Sequence, residues 1–238
     1  MATLIFLTLN LIIPVLANTE KAIFLGPDPA AADVSPVPPE LSNIHLDTLT
    51  PRDFTHRTRL PAVFPSLENP KGKATWVLLD GLTPGQRYEV RVCWPATQPT
   101  TFTLTPYSPS TVYSTPDLLS SLLNYTASYN HRQQHQPLPP RTTNPSGTQL
   151  LLQILAAADF FTTNTTLMLH PPPVDADIIL DPFLFNVLPR SLAGTVGYLV
   201  FVAVVAYFGV VRVVKGVIAE LVRSGVEADG EGKKKKVQ

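Results

Sequence analysis

Leu82-Thr83-Pro84-Gly85-Gln86-Arg87-Tyr88-Glu89-Val90-Arg91-Val92-Cys93-Trp94 carries the clearest local pattern in this 238-residue chain. Pro84 and Gly85 form a turn. After it, Tyr88, Val90, Val92 and Trp94 alternate with Glu89, Arg91 and Cys93, the period-two pattern of a half-buried strand. The preceding run Thr75-Trp76-Val77-Leu78-Leu79 predicts the previous strand, with Trp76 and Leu78 facing inward. Around this pair the composition is unusual. The chain has 25 prolines against 12 glycines, and all the prolines but Pro14 lie between Pro27 and Pro189. Proline is excluded from helix interiors and from central strand positions, so this region is expected to be short strands joined by stiff, extended loops.

A turn followed by a buried tyrosine looks like the tyrosine corner of fibronectin-type-III and Ig-like sandwiches, in which the hydroxyl bonds back to the backbone just upstream. The expected fold is therefore mainly β, a sandwich region with one C-terminal membrane helix. Cys93 falls on the face opposite Tyr88, facing either solvent or a partner. As the lone cysteine it excludes an intrachain disulfide. Further strands are expected at residues 22–25, 44–49 and 101–105. A second apolar block at 149–161 (QLLLQILAAADFF) is ambiguous between helix and strand and is read as strand, with apolar segments following at 165–169, 178–180 and 183–188. The resulting organisation is a signal peptide (1–17), a β-sandwich region (18–110), a polar, proline-rich linker (111–146), a second strand-rich segment (147–190), a membrane helix (191–212) and a tail (213–238). Within the linker, Thr115-Pro116-Asp117 provides a cap and a first turn for a short helix.

Two hydrophobic runs set the expected topology. Residues 4–16 (LIFLTLNLIIPVL) are too few for a comfortable span, and Val15-Leu16-Ala17 presents a signal-peptidase site, with cleavage between Ala17 and Asn18. Residues 192–211 (LAGTVGYLVFVAVVAYFGVV) are twenty positions without a charge, enough at 1.5 Å per residue for a hydrocarbon core of about 30 Å. Arg190 precedes this run, whereas Arg212, Lys215, Arg223 and Lys233 to Lys236 follow it. That excess belongs in the cytosol and leaves the N-terminal bulk in the lumen of the endoplasmic reticulum (ER). A GPI attachment signal must end in its hydrophobic stretch, and here 27 residues follow Val211.

Lys235 and Lys236 stand three and four positions from the C-terminus, the register of a dilysine retrieval signal read by the COPI coat. Between span and signal, Val213, Val214, Val217, Ile218 and Leu221 repeat at helical spacing. This fits an interfacial helix or a continuation of the span equally well. Asn124-Tyr125-Thr126 and Asn164-Thr165-Thr166 are glycosylation sequons, while Asn144 is disqualified by Pro145.

Catalytic arrangements are sparse. Lys and Arg balance Asp and Glu, 18 against 18, so no overall field argues for nucleic acid. Asp175-Ala176-Asp177 has the spacing with which two carboxylates bracket a divalent cation in many glycosyltransferases, but no nucleotide-binding α/β pattern surrounds it. His131 and His135 lack a third ligand nearby. There is no Gly-x-Ser-x-Gly, no phosphate loop and no Cys-x-x-Cys. The reading is a non-catalytic binding or scaffolding protein, with no cofactor and no metal.

Asn18-Thr19-Glu20-Lys21-Ala22-Ile23-Phe24-Leu25-Gly26-Pro27 and Pro171-Pro172-Pro173-Val174-Asp175-Ala176-Asp177-Ile178-Ile179-Leu180-Asp181-Pro182 resemble the fungal Pga1-like family, the accessory subunit of GPI mannosyltransferase II. The resemblance implies a glycosylated ER membrane protein whose partner is a multi-spanning catalytic subunit. That partner transfers the second mannose from dolichol-phosphate-mannose to a GPI precursor. It transfers no catalytic residue to this chain. Two other roles fit a β domain on one span. One is a lumenal subunit of an ER membrane chaperone or insertase complex; the other is an ER–Golgi cargo receptor, for which a lumenal coiled coil is expected and none is seen.

Overall fold

The computed structural model describes residues 17–28, 46–133 and 149–234. The chain divides into two compact units, residues 1–190 and 191–238. In the first, the strands are β1 (Ala17–Leu25), β2 (Asp47–Leu49), β3 (Thr55–Leu60), β4 (Lys73–Leu79), β5 (Arg87–Pro95), β6 (Thr100–Tyr107), β7 (Leu150–Ala158), β8 (Val174–Leu184) and β9 (Leu188–Pro189). The helices are α1 (Pro109–Ser114), α2 (Pro116–Gln133) and α3 (Thr165–Leu169). Among the described residues they form two sheets, one in the order β1-β5-β8-β3 with β9 on β8, the other β2-β4-β7-β6. All pairs are antiparallel except β2 with β4.

The architecture is thus mainly β and two-sheeted, as expected. Its strand order differs from that of Ig constant domains, in which the first two strands are neighbours; here β1 lies beside β5. The two strand-rich blocks of the sequence interleave. β7 is central in one sheet and β8 in the other, each between strands of the first block.

The alternation around Tyr88 sorts β5 as its sequence demands. Tyr88, Val90, Val92 and Trp94 are buried between the sheets against Val77, Leu79, Leu152, Ile154, Ile178 and Leu180. The Tyr88 hydroxyl accepts from the Thr83 N–H at 2.9 Å and donates to Gln86 Oε1 at 3.0 Å, which is the upstream backbone bond expected of a tyrosine corner. Gly26 packs on this corner. A Cβ there would meet the Thr83 carbonyl oxygen at 2.1 Å, so no other residue fits.

Trp76 and Leu78 do not face the inter-sheet core. Val77 and Leu79 do, and Trp76 and Leu78 form a second core with Val112, Leu122, Tyr125 and Leu151, under α1 and α2. Trp76 Nε1 donates to Ser121 Oγ on α2 at 3.2 Å. Both faces of β4 are covered, and alternation alone cannot say which layer covers which face. The same double coverage explains the continuous apolar run of β7, which is a strand buried on both faces. α2 begins at Pro116, and the turn before it is capped by Ser108, which accepts from the Thr111 N–H at 3.2 Å. The stretch expected as linker is therefore helical up to Gln133, and its remainder, 134–146, lies outside the described residues.

Residues 165–169 form α3 rather than an extended segment, because Asn164 Oδ1 accepts from Thr166 N and Leu167 N and caps a helical turn. Prolines sit where a missing donor costs nothing. Pro106 lies on edge strand β6. The Leu180 N–H points toward β3, bonding Phe54 O at 2.8 Å, so the Pro182 nitrogen points to the same side, beyond the end of β3.

The second unit is dominated by α4 (Ala193–Lys234), one unbroken helix. Residues Arg190–Ala219 are long and apolar enough to cross a membrane, and none of that apolar stretch is buried in the protein. A helix apolar all round and exposed all round is a poor component of a soluble core.

Candidate functional site

The outer face of the first sheet collects most of the charge-bearing candidates. Period-two alternation on β8 sends Asp175 and Asp177 to this face, and β3, in antiparallel register, sets Arg59 opposite Asp175 and Arg57 opposite Asp177. Arg57 grips Asp177 through two bonds, Nε to Oδ1 at 2.7 Å and Nη2 to Oδ2 at 2.8 Å. Arg59 Nε meets Asp175 Oδ1 at 2.9 Å, and Gln98 Nε2 donates to Asp175 Oδ2 at 3.3 Å. These bonds hold both carboxyls below the ordinary aspartate range, chiefly through Arg57 on Asp177 and through Arg59 and then Gln98 on Asp175. Two carboxylates already neutralised by guanidinium groups form strand-to-strand ties rather than a cation bracket.

Beside them, Glu89 and Asp181 are register partners and buried, and Arg91 lies 3.4 Å from Glu89 and 3.9 Å from Asp181. Lys21 reaches Glu89 at 3.3 Å. Cys93 is half-buried on the same face, where Thr19 Oγ1 donates to its Sγ at 3.5 Å. A further tie crosses between sheets. His56 on β3 lies 3.3 Å from Asp47 on β2, and the hydrogen bond to Asp47 raises the imidazole pKa despite partial burial.

The uncommitted features are apolar. At one end, a cleft of about 290 Å³ lies among Ala62, Pro99, Ala158, Phe160, Leu167 and Val174. At the other, the β8–β9 turn exposes Leu184, Phe185 and Val187.

The sites expected from sequence are scattered across the fold. Asn124 is exposed on α2 and Asn164 is exposed at the cap of α3. Asn18 is exposed on β1, which begins at Ala17. Residues 1–16, His135, Lys235 and Lys236 lie outside the described residues. Sequence reasoning missed β3, because two of its three inward positions, His56 and Thr58, are polar and leave Leu60 without a hydrophobic alternation. Consequently it missed the arginine partners of Asp175 and Asp177.

Paired carboxylates, apolar surfaces at both ends and a helix long and apolar enough to cross a membrane characterise this chain as a mainly β module followed by one candidate span. Residues 9–113 match the model of the Pga1 family, described as GPI-Mannosyltransferase II co-activator. The resemblance is thereby borne out: over this stretch the chain is Pga1-like. The match takes in β1 to β6 and ends before the central strands β7 and β8; the second stretch carrying the resemblance, around Asp175 and Asp177, lies beyond it. No curated protein and no solved structure matches the chain.

Proposed function

We propose that the chain is a non-catalytic accessory subunit that binds and stabilises the catalytic subunit of an ER GPI mannosyltransferase, the one adding the second mannose from dolichol-phosphate-mannose. The family match over residues 9–113 carries this reading. The ion-paired state of Asp175 and Asp177 supports it, since the carboxylates best spaced for metal-assisted transfer are engaged by Arg57 and Arg59. One span cannot enclose both a polyisoprenoid donor and a lipid acceptor, whereas a β module beside a multi-spanning enzyme can brace the loops that do.

In the same reading the module is lumenal, the signal peptide is removed after Ala17, and Asn124 and Asn164 carry glycans. Lys235 and Lys236 return strays through the COPI coat. Depleting the protein should accumulate a GPI precursor bearing one mannose, detected by radiolabelled mannose and thin-layer separation of lipids. An ordinary precursor profile after depletion would sink the proposal.

A further inference from the structure

The β8–β9 connection is a three-residue loop, Phe185 to Val187, in an unusual conformation. Phe185 and Asn186 have φ of 53° and 60°, and the Val187 N–H bonds the Leu184 carbonyl at 3.1 Å. Consecutive left-handed residues mark a type I′ hairpin turn, for which glycine, asparagine and aspartate are the usual occupants. Asn186 fits. Its side chain clamps the turn to the neighbouring one, Oδ1 accepting from Arg87 N at 2.8 Å and Nδ2 donating to Gly85 O at 3.0 Å. Phe185 does not fit, because a bulky residue at positive φ is strained.

Nor does that strain gain packing against the described residues: Phe185 is 97% exposed, and Val187 is 79% exposed. Leu184 is exposed beside them, and so is Leu25, whose register partner is Arg87. An aromatic side chain is thus held outward on a fixed turn, in an apolar patch beside Arg87, and Arg190 follows Val187 by three positions in the chain.

Chain length narrows what can cover this patch. Ala193, the first residue of α4, is six positions beyond Val187, and six residues span at most about 20 Å. The apolar run begins one residue earlier still, at Leu192. Four side chains, Leu25 on β1 with Leu184, Phe185 and Val187 at the turn, cover far less than the roughly 800 Å² per side of a standard protein interface. They suit the bilayer boundary, where aromatic and aliphatic groups sink among headgroups and arginines meet phosphate.

We propose that the β8–β9 turn is a second membrane contact, in which Phe185 and Val187 insert into the lipid interface. This rests on α4 being a membrane helix. The test uses the full chain, purified in mild detergent and reconstituted into phosphatidylcholine vesicles with or without brominated acyl chains. Trp76 and Trp94 are buried, so the emission added by Phe185→Trp can be read by difference from the parent chain. It should shift to the blue, lose most of its intensity in brominated vesicles and resist iodide in the buffer; Val187→Trp should repeat this from the neighbouring position. Leu199→Trp, within the span, reports on α4 separately. If it is quenched by bromine while Phe185→Trp and Val187→Trp are quenched only by iodide, the turn lies in water and the proposal is overturned. If Leu199→Trp itself escapes bromine, the membrane reading of α4 fails and takes the proposal with it.

Discussion

Replacing Tyr88 by phenylalanine isolates the contribution of one hydroxyl to the fold. The ring is fully buried and stacks near Phe24 at 5.8 Å between centroids, and phenylalanine keeps that packing. What is lost is the bond from Thr83 N at 2.9 Å and the bond to Gln86 Oε1 at 3.0 Å. Two net hydrogen bonds contribute about 1–3 kcal/mol, and a partly buried Thr83 N–H left without a partner moves the cost toward the upper end. The expected destabilisation is therefore about 2–3 kcal/mol, or roughly 4–12 °C in Tm for a module of this size. Gln86 also donates to the Phe183 carbonyl at 3.3 Å, so the corner is tied to the end of β8. A double-mutant cycle with Gln86→Ala should return a coupling of about 0.5–1 kcal/mol. The assay is urea and thermal unfolding of the full chain in mild detergent, followed by emission of the two buried tryptophans. A Tyr88→Phe midpoint indistinguishable from that of the parent, with an unchanged slope in urea, would refute the claim that the corner bond holds this turn.

Gly72→Ala should destabilise the module by at least about 2 kcal/mol in the same assay, because Gly72 has φ of +89° and its Cβ would meet the Ala156 carbonyl oxygen at 2.1 Å. The raised pKa of His56 gives a pH dependence of defined sign. The folded state holds the proton more tightly, so the His56–Asp47 contribution is complete below the ordinary value of 6.5 and fades as pH rises through the folded value. Tm should fall over that window by an amount set by at most about 1 kcal/mol for this partly exposed pair, and His56→Gln should flatten the slope. Asp175→Asn with Asp177→Asn should leave the GPI precursor profile normal and cost little stability, since both ion pairs are solvent-exposed. A mono-mannosylated precursor accumulating in that variant would instead restore a catalytic reading of the pair.

The legible parts of the fold were those with a periodic pattern and one solvent-facing side. β5 has both, so its inward and outward residues and the bond of Tyr88 could be written down from residues 82–94. β4 and β7 have two covered faces, so their strand character could be argued but their facing could not, and Trp76 was assigned to the wrong layer. β3 has no apolar alternation at all. Of its inward positions only Leu60 is apolar, and His56 is polar where it meets Asp47 across the sheets, which nothing local in THRTRL reveals. The helical turn at Thr165–Leu169 turned on one capping side chain, Asn164, whose sequon context drew attention to a different chemistry.

Sequence alone determined the apolar helix after Leu192, the mainly β class and the tyrosine corner, because each depends on hydrophobic content or period over neighbouring residues. Tertiary structure decided what Asp175 and Asp177 do. Their spacing is compatible with a cation site or with a ladder of ion pairs, and the arrival of Arg57 and Arg59, more than a hundred positions away in the chain, builds the ladder. It also decided that strands from two separate blocks complete each other's sheets, since pairing depends on long-range register that no local window contains.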